Sequence, residues 1–133
     1  MEQRAGLRRQ LQAALKPRQE IVFAYLHGSF TDKDLPYHDV DVAVYLDPAW
    51  TAGRDLFEYE MMLSVDLTRA LHAPVDVHVL NEAPLGFQHS VLYRGEVLFS
   101  RDDERLTDFI EQVGLGTMEF SYYAQAYLQE VTS

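Results

Sequence analysis

Three aspartates and one glycine-serine pair are the parts of this sequence whose residue types and spacing could perform chemistry. Asp39 and Asp41 fall in a predicted strand over residues 39–46, and strand side chains alternate between two faces. The two carboxylates therefore share one face, while Val40 and Val42 point to the other. Carboxylate oxygens are the ligands that hard divalent cations such as Mg²⁺ and Mn²⁺ prefer. The spacing predicts a metal site on the polar face of this strand.

A third carboxylate lies on a later predicted strand, over residues 75–80. Asp76 and His78 alternate there with three valines, so Asp76 points away from the valine face. If the two strands are neighbours, the third acid joins the pair. Asp39 and Asp41 are then expected to hold a metal that carries a triphosphate. Asp76 is expected to complete a second metal site or to help deprotonate an acceptor hydroxyl.

A sharp turn supplies the other half of the predicted site. Residues 21–26 form a compact apolar run that is typical of a buried strand, and Gly28 and Ser29 follow it. Glycine lets the backbone turn tightly, and the exposed amides and the serine hydroxyl can donate hydrogen bonds to phosphate oxygens. The turn is therefore predicted to orient a departing pyrophosphate. Positioning and charge neutralisation would supply the rate gain, with no covalent intermediate on the protein.

The elements that must position these residues follow from the apolar periodicity. Predicted strands cover residues 21–26, 39–46, 75–80 and 95–99. Predicted helices cover residues 2–15, about 54–71, 85–93 and 102 to the C-terminus. Gly114 and Gly116 are expected to bend or interrupt the last helix. This order predicts an α/β (α+β) fold, with one small mixed β-sheet flanked by helices in a single domain over residues 1–133.

The net charge indicates which kinds of macromolecule could bind this protein. The chain has 21 acidic residues against 11 lysines and arginines, a formal net charge of −10, and no basic stripe. Direct nucleic-acid binding is therefore not expected, and a basic protein partner is favoured. There is no cysteine to form disulfides or thiolate sites, and no apolar stretch approaches the length of a membrane span. We expect a cytoplasmic protein that does not contact a membrane.

The site motif resembles that of a known family, the minimal nucleotidyltransferases of the DNA polymerase β-like superfamily. The resemblance rests on the successive segments YLHGSF, TDKDLPYH and DVDVAVYL, and on the later segment VDVHVL. It implies the nucleotidyltransferase fold, with Gly28 and Ser29 as the phosphate turn. It also implies that three acids act as the metal-binding carboxylates, namely Asp39, Asp41 and Asp76.

One loop departs from the family pattern. Many members follow the serine turn with a small residue, then Arg or Lys, then Gly, whereas this chain has Thr31, Asp32 and Lys33. We expect Lys33 to replace the usual phosphate-binding cation, shifted by one place.

Within the superfamily, an acidic free-standing chain of this size resembles the MntA-type antitoxins of HEPN/MNT toxin-antitoxin modules. That resemblance implies ATP as substrate, Mg²⁺ or Mn²⁺ as cofactor, and transfer of AMP to a tyrosine of a HEPN-family ribonuclease toxin. Two alternatives remain open at this point. One is nucleotidyl transfer to a small molecule of the aminoglycoside kind, and the other is an antitoxin that neutralises a basic ribonuclease by binding alone.

Two groups of side chains are assigned to packing instead of chemistry. Three histidines near the acids could form a transition-metal site, but their spacing matches no recognised ligand pattern. Polar packing is therefore the prediction for His27, His38 and His78. An aromatic group near the C-terminus could stack on a base or dock a partner, although a buried helix face is favoured. This group comprises Phe120, Tyr122, Tyr123 and Tyr127.

Overall fold

The computed structural model describes residues 2–28 and 39–132, with five helices and four strands in these two ranges. The strands are β1 (Ile21–His27), β2 (Val40–Leu46), β3 (Val75–Val79) and β4 (Glu96–Ser100). The helices are α1 (Glu2–Leu15), α2 (Pro48–Thr51), α3 (Leu56–Leu71), α4 (Leu85–Arg94) and α5 (Asp103–Thr132). Every strand and long helix lies within about two residues of its predicted position. The short helix α2, capped by Asp47, was not predicted.

The four strands form one mixed sheet in the order β3-β2-β1-β4. β1 pairs antiparallel with both β2 and β4, whereas β2 and β3 run parallel. The parallel pair requires a crossover connection, and α2 and α3 provide it. The predicted small mixed sheet flanked by helices is therefore confirmed, and the strand that carries Asp76 is a direct neighbour of the strand that carries Asp41.

Each face of the sheet is covered by its own apolar layer. On one face α1 and α3 pack against alternate residues of β1, β2 and β3, including Val40, Val42 and Val44. On the other face α4 and α5 pack against Phe23, Tyr25 and neighbouring residues. The predicted alternation of β2 is confirmed, because its valines lie on the first face and Ala43 on the second.

The edge strand β3 is held by polar side chains of α3. The backbone N–H of Val75 donates to Thr68 Oγ1 at 3.0 Å, and that of Val77 donates to Ser64 Oγ at 2.9 Å. The N–H of Val79 donates to Glu60 Oε2 at 2.6 Å. An edge strand otherwise presents unpaired backbone groups. The side chains of α3 therefore accept the hydrogen bonds of the outward-facing N–H groups of β3. They also fix the position of this strand in the sheet.

The last helix differs from its prediction in two respects, of which continuity is the first. Gly114 and Gly116 do not interrupt α5, which runs unbroken from Asp103 to Thr132. A Cβ at Gly114 would lie 3.0 Å from Tyr93 Oη, and one at Gly116 would lie 3.4 Å from a Leu85 methyl carbon. The glycines therefore allow α4 to approach α5 closely, and this packing offsets their low helix propensity.

The second difference concerns the aromatic group at the end of α5. The prediction of a buried helix face was wrong, because Phe120, Tyr122, Tyr123 and Tyr127 are 65–70% exposed. The described strands and α4 therefore do not bury these side chains of the 30-residue helix. Four further exposed apolar residues extend the surface, and we call the whole set the distal α5 surface. The added members are Leu115, Met118, Leu128 and Val131.

A hydrogen bond between Tyr59 and Glu20 links α3 to the residue that precedes β1. Tyr59 Oη donates to Glu20 Oε2 at 2.7 Å, and burial, followed by this bond, raises the pKa of Tyr59. Tyr59→Phe should lower the free energy of unfolding by about 1 kcal/mol in urea titrations near pH 7. Because the folded pKa is raised, this contribution is complete below about pH 10 and is lost as the pH rises further.

A matched control for that change is Tyr122→Phe, which removes a hydroxyl from a side chain that is 70% exposed. We expect it to leave the free energy of unfolding within about 0.5 kcal/mol. Equal stability of both variants would contradict a structural role for the bond between Tyr59 and Glu20.

No helix in residues 2–28 or 39–132 combines the length and apolar character that crossing a membrane requires.

Candidate active site

Asp41 and Asp76 stand side by side on the same face of the sheet. They are paired in register across the parallel strands β2 and β3. His78 lies two residues beyond Asp76 on the same face, and its Nε2 is 3.0 Å from Asp76 Oδ2. One ligand atom from each of these three residues lies within 4.8 Å of the others. The structure therefore brings two of the three predicted acids together and adds a histidine.

Asp39 occupies a more peripheral place. It immediately precedes β2 and is exposed, and it is not part of the group of close ligand atoms found among the described residues. Its charge is nonetheless near enough to contribute to the raised pKa of Asp41. Asp39 therefore borders the pair formed by Asp41 and Asp76.

The electrostatics of Asp41 show that negative charge accumulates at this point. Burial raises the pKa of Asp41, and the neighbouring charge of Asp76 raises it further. His78 acts in the opposite direction, and Asp39 adds a smaller upward contribution. Placing two ionised carboxylates together in a half-buried position is unfavourable. A bound cation would relieve this repulsion.

The donor set fits a divalent cation. Two carboxylates and one imidazole are common ligands of divalent metals, and neighbouring ligands of an octahedral ion lie about 3 Å apart. The separations among Asp41, Asp76 and His78, all within 4.8 Å, can be bridged by one ion after small side-chain rotations. Asp76 is exposed, so solvent or a substrate can reach the remaining coordination positions.

Gly28 brings the chain directly against the carboxylate of Asp41. Its φ is +75°, a conformation that side chains of L residues rarely adopt. A Cβ at this position would overlap Asp41 Oδ2 and lie 3.3 Å from Asp41 Cγ. Gly28 therefore has the backbone conformation typical of a tight turn, and it adjoins Asp41 of the acid pair. The predicted phosphate-binding residues Ser29 and Lys33 lie outside the described residues, as does His38.

Aromatic rings form one wall of the site. His27 pairs with Asp41 across β1 and β2, and its ring centroid lies 5.6 Å from that of His78. Phe87 of α4 contacts both rings, at 5.5 and 5.4 Å between centroids. Burial lowers the pKa of His27 to about 4. The neighbouring His78 lowers this pKa as well, whereas Asp76 raises it. His27 is therefore neutral at pH 7 and adds no positive charge to the site.

The family follows from a match to known sequences. Residues 9–104 match the family model described as "Polymerase beta, Nucleotidyltransferase", which is most of the chain and includes every predicted site residue. The chain belongs to this nucleotidyltransferase family. No curated protein sequence matches it.

Chains from solved toxin-antitoxin complexes share this architecture. A chain of a toxin-antitoxin complex with AMP-PNP is similar with a TM-score of 0.71 and 19% identity, covering 95% of this chain and 98% of that one. A complex of a tri-AMPylated Shewanella oneidensis HEPN toxin with its MNT antitoxin gives 0.69 and 19%, with coverage of 98% and 99%. A MntA-HepT toxin-antitoxin complex gives 0.67 and 18%, with coverage of 96% and 97%. At this identity the likeness concerns the fold.

The sequence predicts polar packing for His78, and the structure places this residue against Asp76, His27 and Phe87, where it is also one of the clustered possible metal ligands. The prediction of polar packing was based on the absence of a known histidine spacing. The alternation within VDVHVL does place His78 on the same strand face as Asp76, two residues further along. This pattern could have indicated that His78 belongs to the site. A side chain on that face of β3 stands beside β2 and its acid.

Proposed function

We propose that this nucleotidyltransferase is an antitoxin that transfers AMP from ATP to a tyrosine of a partner HEPN toxin. The observation that carries the proposal is the pairing of Asp41 with Asp76 beneath the Gly28 turn, within the family's fold. Support for the acceptor comes from the similar structures, one of which contains a tri-AMPylated HEPN toxin and another AMP-PNP. We place the protein in the cytoplasm, with the toxin.

Adenylyl transfer requires a metal ion and a group that binds the triphosphate, and different residues of the site supply these two functions. Asp41 and Asp76, with Asp39 at the border, would hold Mg²⁺ or Mn²⁺. Such an ion neutralises phosphate charge and can lower the pKa of an oxygen bound to it. The Gly28 turn, Ser29 and Lys33 bind and orient the triphosphate. The rate gain therefore comes from positioning and from charge compensation.

The transfer step exchanges one bond at the α-phosphorus. The tyrosine oxygen attacks this atom, its O–H proton passes to Asp76, and the bond from the α-phosphorus to the bridging oxygen breaks. Pyrophosphate carries away the electron pair of that bond, held by the glycine turn. Asp76 suits the proton-accepting role because it is exposed on the open side of the pair.

The distal α5 surface supports a protein acceptor. Its eight large apolar and aromatic side chains are each more than half exposed, and exposed apolar side chains grouped on one element are typical of interaction sites. Beyond Arg105, α5 has acidic residues and no lysine or arginine, so a basic partner would be attracted to it. The same surface favours the second candidate function, neutralisation of a toxin by binding alone.

The small-molecule alternative receives no such support. The cavity between β2, α4 and α5 has a volume of about 500 Å³ and is lined by residues such as Tyr45, Gln88 and Phe109. None of the acids of the site lines this cavity. A drug-sized acceptor bound there would not contact Asp41 or Asp76.

Labelled ATP tests the proposed reaction. The protein is incubated with Mg²⁺, a HEPN-family toxin from the same genome, and ATP labelled either at the α-phosphate or at the γ-phosphate. The α-label should appear on the toxin, with the mass increment of AMP on a tyrosine, and the γ-label should not, because it leaves with pyrophosphate. Failure of the α-label to reach the toxin, with ATP shown to bind, would remove the proposal.

A further inference from the structure

A histidine lies beside the acid pair. We propose that His78 coordinates the cation through Nε2, so that the site prefers first-row transition cations such as Mn²⁺ and Co²⁺ to Mg²⁺. The proposal rests on the proposed function for the existence of the metal site, and it adds the identity of the ion. The assignment of His78 as a ligand can be wrong while AMP transfer with Mg²⁺ persists. Failure of this inference and failure of the proposed function can therefore be distinguished.

The position of His78 carries the inference. Its Nε2 is 3.0 Å from Asp76 Oδ2, and one atom from each of Asp41, Asp76 and His78 lies within 4.8 Å of the others. The imidazole thus faces the carboxylates with the nitrogen that could bind a metal. The parallel register of β2 and β3 places the two acids in one row and His78 opposite Ala43 in the next. A small residue at position 43 leaves room for the ring to lean toward the acids.

The ring is also held in this position by its neighbours. His27 and Phe87 contact it, at 5.6 and 5.4 Å between ring centroids. A histidine free to rotate into solvent would lose side-chain entropy on binding an ion, whereas one packed against two rings loses less. The ligand is therefore partly preorganised.

The chemistry of the donor set then distinguishes the ions. Mg²⁺ is bound almost entirely through oxygen, and it retains water readily in place of a protein ligand. Affinity of a site that contains nitrogen rises along the first transition row from Mn²⁺ toward Cu²⁺. With His78 as ligand, Co²⁺ should bind more tightly than Mn²⁺, and Mn²⁺ about tenfold more tightly than Mg²⁺.

Metal affinities measured without toxin provide the first test. Free Mn²⁺ is followed by its electron paramagnetic resonance signal, and Mg²⁺ and Co²⁺ are added as competitors. His78→Gln should reduce the preference for Mn²⁺ over Mg²⁺ to less than about threefold, mainly by weakening Mn²⁺. His89→Gln is the control, because this histidine stacks on Tyr93 of the same helix, α4, at 4.4 Å and is not among the clustered ligands. An unchanged preference in His78→Gln would overturn the proposal.

A spectroscopic measurement tests the bond between His78 and the metal itself. Mn²⁺ and α,β-methylene-ATP are bound to protein carrying ¹⁵N-labelled histidine, and electron spin echo modulation is recorded. A ¹⁵N coupling of directly bound imidazole is expected in the wild-type protein and in His89→Gln, and its loss is expected in His78→Gln. No coupling in the wild type, or a coupling that survives His78→Gln, would contradict the assignment.

Discussion

Asp41→Asn is expected to lower the rate of AMP transfer by at least about a thousandfold. Asp41 is the half-buried member of the acid pair and the one against which the Gly28 turn rests. Losing a charged metal ligand removes several kcal/mol of transition-state stabilisation, and each 1.36 kcal/mol is a factor of ten in rate. The initial rate of α-label transfer to the toxin, at saturating ATP, measures the effect.

The same substitution should not destabilise the metal-free protein. Burial and the charge of Asp76 raise the pKa of Asp41. A carboxyl whose folded pKa is raised is unfavourable to ionise in the folded state, so its charge lowers stability at pH 7. Asparagine removes that charge while keeping the size of the side chain. Thermal unfolding in EDTA at pH 7 should therefore show a melting temperature equal to or above that of the wild type.

The control for Asp41 is Asp108→Asn, the same change at an exposed carboxylate of α5. It should leave both transfer and melting temperature unchanged. Transfer that persists within about tenfold in Asp41→Asn would contradict the proposed site. Neutralisation of the toxin by Asp41→Asn in a growth assay, with transfer abolished, would instead show that binding through a surface such as distal α5 is sufficient.

The sequence predicted which side chains share a face, because a strand has a period of two. Val40, Val42 and Val44 had to lie opposite Asp41 once the segment was taken as a strand, and the structure confirms this. Alternation could not reveal which strands are neighbours. That depends on the parallel pairing of β2 with β3 through the α3 crossover, which places Asp41 and Asp76 in one row.

Other features depended on tertiary contacts that no local pattern encodes. Gly114 and Gly116 lower helix propensity, yet α4 packs against them and α5 continues. The aromatic residues of distal α5 have the composition of a core, but the described part of the chain leaves them 65–70% exposed. His78 has no sequence motif, and its proximity to Asp41 arises from the register between two strands.

The link between the glycine turn and the acid pair leads to the second large effect. Gly28→Ala should lower the free energy of unfolding by about 2–4 kcal/mol, because the positive φ of +75° and the overlap with Asp41 Oδ2 both oppose a Cβ. It should also lower AMP transfer by about a hundredfold, since the carboxylate must move to make room. Urea titration and the transfer assay measure the two effects separately.

Gly53→Ala separates strain in the backbone from the contact with the acid. Gly53 has the same φ of +75° and is also exposed, but a Cβ there would meet no described atom within 4 Å. This variant should lose only about 1–2 kcal/mol of unfolding free energy and keep full transfer activity.

Asp41→Ala removes the overlapping oxygen, so adding Gly28→Ala to it should cost no more than Gly53→Ala. The resulting coupling energy between positions 28 and 41, about 1–3 kcal/mol, would then measure the contact directly. Additive effects in this cycle would show that Gly28 and Asp41 act independently. The contact between them would then not couple phosphate binding to metal binding.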